Sequence, residues 1–175
     1  MTDRLIKVLS SIDPSFVIKR DFPFCHETAN VYAFRKGRNF FIPQRDYLFF
    51  HDIKNRNINT EYAEKLHDAA RDFVNKEYRV PKALRLTVPN ITSVFYSETG
   101  VNDSFINLAS KWTRSVIGGE IHQIIVVCFG SKTFYSQGVN KVRTSLEGVS
   151  VNVKFNKIDP QNRAHYLIER IVDSL

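Results

Sequence analysis

Apolar residues recur along this chain at two periods, and the changes of period divide it into elements. Near the start, Leu5, Val8, Leu9 and Ile12 fall at i, i+3, i+4 and i+7. That spacing predicts a short helix over 3–12, capped by Thr2 or Asp3 and stopped by Pro14. From 16 to 52 the pattern turns extended and rich in Phe and Tyr, which suits a half-buried sheet. Residues 16–22 read as a strand, 30–42 as a hairpin turning at Lys36-Gly37-Arg38, and 46–51 as a further strand after the interruption at Pro43. The broadest helical stripe is Tyr62, Ala63, Leu66, Ala69, Ala70, Phe73 and Val74, in a helix that starts at Asn59 or Thr60 and runs to residue 79.

Strands are predicted next at 83–88 and 91–97, around Pro89, and a helix at 103–116 behind Asn102 or Asp103. The apolar run in 120–129 reads as the central strand, with 132–137 as its hairpin partner across Gly130-Ser131. Val139, Val142 and Leu146 suggest a short helix over 139–147, and 149–155 alternates as a strand. Asp159-Pro160 opens the last helix, whose apolar face is Ala164, Leu167, Ile168, Ile171, Val172 and Leu175. No repeat, linker or shift of composition interrupts the chain. The prediction is one α/β domain over residues 1–175, a central mixed sheet with helices packed on it.

Composition narrows the class. At 175 residues, 43% hydrophobic and 25% charged, the chain has the makeup of a folded domain and not of a disordered one. The longest apolar run, 124–129, is far short of the ~20 residues a membrane span requires, and the first residues carry no apolar leader. Membrane partners are not expected. The two cysteines, Cys25 and Cys128, form no CxxC, so a cysteine-based zinc site is not expected either. Their scarcity fits a cytoplasmic location. Lys and Arg number 25 against 18 Asp and Glu, a net charge of +7, spread along the chain and not gathered in a tail. A basic balance favours polyanionic partners, nucleic acid first among them.

Motifs for chemistry are sparse. There is no HExxH, GxSxG or GxGxxG, and Gly130-Ser131-Lys132-Thr133 lacks the leading glycine of a phosphate loop and reads as a hairpin turn. Glu120 and His122 lie two apart on one strand face, where they could serve as a metal or acid–base pair. Two solvated polar groups at a strand start is the plainer reading, since no third group is evident. Ser97-Glu98-Thr99-Gly100 joins a strand to a helix and reads as a capping loop, with a hydroxyl-bearing or cationic ligand as the other reading. Cys25 and His26 are sequence neighbours, an unusual arrangement for a nucleophile and its base. No cofactor and no metal site is expected.

The strongest surface signal is the interleaving of basic and aromatic residues from 34 to 56. It places Arg35, Lys36, Arg38, Arg45, Lys54 and Arg56 as candidate nucleic-acid contacts, with Phe34, Phe40, Phe41 and Tyr47 among them. Strand alternation alone would also turn aromatics inward and charges outward, which gives a merely solvated face. A second class of function is a homo-oligomer or protein-interaction module that uses aromatic strands such as 46–51, its charge incidental. A third is a metal-dependent hydrolase using Glu98, Glu120 or His122.

To about residue 125 the element order is helix, three strands, helix, strand, helix, strand. This order resembles that of the restriction-endonuclease-like, PD-(D/E)xK, nuclease fold. The resemblance implies an acid on one core strand and an E-x-K on the next, together holding Mg²⁺. Residues 28–45 contain no acid, and the one match to [DE]-x-K is Asp52-Ile53-Lys54. Asp46 shares a strand face with Asp52, but at strand rise the two are about 20 Å apart. The resemblance therefore implies a nuclease-like fold whose standard site is missing or displaced. The expected function is a non-catalytic basic domain that contacts nucleic acid through residues 35–56.

Overall fold

The computed structural model describes residues 1–39, 42–78, 88–111, 120–136, 139–141 and 163–175. Helix α1 (Thr2–Ile12) leads into a meander of β1 (Val17–Phe24), β2 (Glu27–Asn39) and β3 (Ile42–Asp52), each antiparallel to the last. Helix α2 (Thr60–Glu77) then crosses over to β4 (Val88–Ser97), and α3 (Asp103–Lys111) to β5 (Ile121–Cys128), so that β3, β4 and β5 run parallel. β6 (Thr133–Ser136) and β7 (Val139–Lys141) return antiparallel, and α4 (Arg163–Ser174) closes the described chain. Among the described residues the strands form one seven-stranded sheet in plain sequence order.

That order explains the layers. The two parallel crossovers step the same way along the sheet, and crossovers of one hand place their helices on one face. α2 and α3 accordingly share a core with Tyr32, Tyr47, Phe49, Ile91, Phe95, Ile124 and Val126. The alternate strand positions, among them Val31, Ala33, Leu48, Phe50, Val94, Tyr96, Ile125 and Val127, turn to the other face, where α1 and α4 cover them. Every residue of β5 is buried, as its apolar run predicts for an inner strand. This is an α/β fold with a mixed sheet, as the periodicity predicts.

Several elements differ from the sequence reading. β2 runs straight through Lys36, Gly37 and Arg38 and pairs as far as Asn39 with Ile42, so the hairpin does not turn at the glycine. Gly37 instead lies where the Arg163 guanidinium comes within 3.5 Å of the position a β-carbon would take. Pro43 does not break β3, which continues through it and pairs there with Arg38 of β2. Pro89 sits within β4, near its start, and does not separate two strands. Residues 139–141 pair with β6 as a strand and not as the start of a helix. α1 has Met1 at its N-cap with no side-chain cap, whereas α2 is capped as expected, Asn59 accepting from the Tyr62 amide at 2.8 Å. The strand expected at 83–88 lies, but for Val88, outside the described residues, as do the end of the 103–116 helix, the 149–155 strand and Asp159-Pro160.

Candidate nucleic-acid interface

The six basic residues singled out by sequence do not form one patch. β3 separates them: Arg35, Lys36, Arg38 and Arg45 lie at its amino-terminal end, and Lys54 and Arg56 in the loop past its carboxyl end. At strand rise the two groups are roughly 20 Å apart. Each position then depends on the face it occupies.

Arg35 turns to the α1/α4 face, where it is committed internally. Its Nε and one terminal nitrogen donate to Asp46 Oδ2 at 3.1 and 2.5 Å, its other terminal nitrogen donates to Asp13, and its guanidinium stacks 4.8 Å from the Phe16 ring. Burial works against its charge, yet Asp46 and Asp13 overturn that and hold its pKa above the ordinary arginine value. Arg163, the first residue of α4, donates to the same Asp46 oxygen at 2.8 Å, and Asn90 reaches the other oxygen at 3.4 Å. A small cleft remains beside these groups, lined also by Thr92, with a volume of about 10 Å³. That is room for roughly one water. The cluster is structural glue between α1, the sheet and α4, and Arg35 is not available to a ligand.

Lys36 and Arg45 turn to the α2/α3 face and lie directly opposite each other in the β2–β3 ladder. Lys36 is exposed. The Arg45 guanidinium rests 5.0 Å over the Tyr78 ring. Among the described residues neither side chain forms an ion pair with a carboxylate. Two like charges facing each other across a ladder repel, and a polyanion would relieve that repulsion. Next along the same face come Phe34 and Tyr47, with ring centroids 4.8 Å apart, and then Lys19, opposite Tyr32 on the edge strand β1 and 5.2 Å from the Phe22 ring. Lys19 was not singled out from sequence. Only the register, which puts it in line with Lys36, brings it into the site. Arg38 belongs to β2 by its backbone.

At the far end, Lys54 donates to Thr99 Oγ1 and Arg56 to the Thr28 carbonyl. Asp52, of the Asp52-Ile53-Lys54 match, spends its carboxylate on a turn, accepting from the Lys54 and Asn55 amides at 3.1 and 3.0 Å and from the Asn55 side chain at 2.8 Å. Gly130 packs against the Glu98 carbonyl in the neighbouring loop, and Ser131 bonds Thr133 at 2.7 Å, so this loop is a hairpin turn. Asn102 caps α3 through the Phe105 amide. Cys25 and His26 form the β1–β2 turn, and both cysteines are free thiols.

Glu120 and His122 are buried and not solvated. Glu120 accepts from Arg71 Nε at 3.0 Å and from Asn75 at 2.7 Å, and His122 Nδ1 lies 3.2 Å from His67 Nε2, whose Nδ1 is 2.8 Å from Ser93 Oγ. α2 supplies three of these partners, which no local spacing could reveal. Among the described residues no three His, Cys, Asp or Glu side chains converge as metal ligands would. Nor, among them, is any helix long and apolar enough to cross a membrane.

Fold and surface together define a three-layer α/β domain with a basic and aromatic rim on the α2/α3 side of its meander. No protein-family model, no curated protein and no solved structure matches the chain.

Proposed function

We propose that this domain contacts nucleic acid without cleaving it, through the β2–β3 end of its sheet. The observation that carries the reading is the facing pair Lys36 and Arg45, which no described carboxylate pairs with, beside the half-buried rings of Phe34 and Tyr78. Backbone phosphates are the natural complement of such a pair, and their contacts dominate nucleic-acid affinity. The order of the first elements is in keeping with a restriction-endonuclease-like fold. The turn-capping role of Asp52 and the arginine pairing of Asp46 favour a version whose catalytic acids are gone.

The test is fluorescence anisotropy with a labelled DNA 20-mer, titrated with salt. Lys36→Glu combined with Arg45→Glu should weaken binding at least tenfold at low salt and lower the salt slope by roughly two. The pair Lys54→Glu and Arg56→Glu, at the other end of β3, should leave binding near the wild-type value. Undiminished binding by the first double variant would remove the site from this surface. Arg35 is unsuited to the test, since reversing its charge would break the Asp46 cluster.

A further inference from the structure

The exposed apolar surface next to the Lys36–Arg45 pair is out of place on a face that only has to meet phosphates. Val17 is 52% exposed, the one large hydrophobic side chain so exposed among the described residues. It stands directly opposite Phe34 in the β1–β2 ladder and so on the same face. Phe34 is itself only half buried. This apolar pair is bracketed by cations. Lys19 lies two residues along β1 from Val17, and Lys36 two residues along β2 from Phe34 with Arg45 across from it. From the Lys19 level to the Lys36 level is four residues of β2, about 13 Å at strand rise.

A duplex presents phosphates outward and hides its base faces, so it could use the cations but not the apolar pair. An unpaired strand offers both, with anionic backbone and apolar base faces side by side. We propose that the ligand of this surface is single-stranded nucleic acid, its bases over Val17 and Phe34 and its phosphates against Lys19 on one side and Lys36 and Arg45 on the other. The proposal rests on the nucleic-acid reading above and names the form of that ligand. One group opposes it locally. Glu77, exposed at the end of α2, accepts from the Tyr47 hydroxyl at 3.1 Å, beside the aromatic pair. Its charge would repel the phosphates and act as a brake on affinity.

The experiment compares a single-stranded thymidine 20-mer with a duplex of equal length, on the full chain across a salt series. Wild type should favour the single strand by roughly tenfold at equal salt, the scale of one stacked base. Phe34→Ala should erase that preference with little change of salt slope. Val17→Asp, on a side chain outside the core, should weaken single-strand binding severalfold even if the Phe34 variant folds poorly. Glu77→Gln should tighten it severalfold. Equal affinity for the two forms, or single-strand binding unmoved by both Phe34→Ala and Val17→Asp, overturns the inference, and the nucleic-acid reading survives if the Lys36 and Arg45 double variant still weakens binding. Binding of neither form defeats both.

Discussion

His51 is fully buried in the α2-side core, its ring stacked on Phe95 at 5.1 Å and near Phe24 at 6.0 Å, and neither of its nitrogens meets a hydrogen-bond partner. Burial, aided by the nearby Arg56 charge, lowers its pKa to about 3. The unfolded chain binds that proton near 6.5, so between about pH 6.5 and 3 the unfolded state holds more protons than the folded one. Stability must then fall on acidification through that window, at up to about 1.4 kcal/mol per pH unit from this residue. His67, lowered likewise by burial and then by His122, adds to the loss. Urea denaturation at pH 7 and pH 5 should show the fall, and His51→Leu, similar in volume and free of unpaired nitrogens, should shrink it. The sequence does not mark His51 as buried, since it follows Phe50 like any strand residue. His67 lies on the apolar stripe of α2, which points to burial, but the partners that decide its state stand 26 and 55 residues away.

Elements were legible where one periodicity dominated. α2 has both a wide apolar stripe and an asparagine cap, and its observed start agrees with the predicted one. The β2–β3 turn is misplaced by the sequence reading because glycine and two flanking cations look like a turn, whereas the strand pairing runs on through Gly37 to Asn39. Contacts that only the folded chain makes, with Asp46 and Asp13, hide the role of Arg35. From sequence it is one more cation in a basic run, and only its register opposite Asp46 takes it out of the candidate interface. Asp46 ties α4 to β2 and β3 and is itself buried. Asp46→Ala should therefore leave two arginines without their shared counter-ion. The expected cost is about 3 kcal/mol or more, measured as a lowered urea midpoint with an unchanged m-value. The candidate interface was half legible. Lys36 and Arg45 are visible in the sequence, but their pairing, and the entry of Lys19 and Val17 beside them, depend on strand register.

For the molecule as a whole, protection should rise from edge to centre. β4 and β5 are flanked by strands on both sides and covered by helices on both faces, whereas among the described residues β1 lies at the edge of the sheet with mostly exposed side chains. Native-state hydrogen exchange should find the slowest amides in β4 and β5 and fast ones in β1. Because spatial order follows chain order, each strand can join a neighbour that has already been made, and both α2 and α3 are in place once β5 has formed. The opposite layer still lacks α4. α4 packs there beside α1, and its Arg163 reaches Asp46 across 117 residues of chain. A chain still emerging from the ribosome would thus carry α2 and α3 on one side of its sheet and, on the other, a face that α1 covers only in part, with Thr2 already beside the Tyr96 hydroxyl. That half-covered face is the kind of surface a chaperone holds, and it makes the arrival of α4 the step at which the nascent domain becomes less sticky.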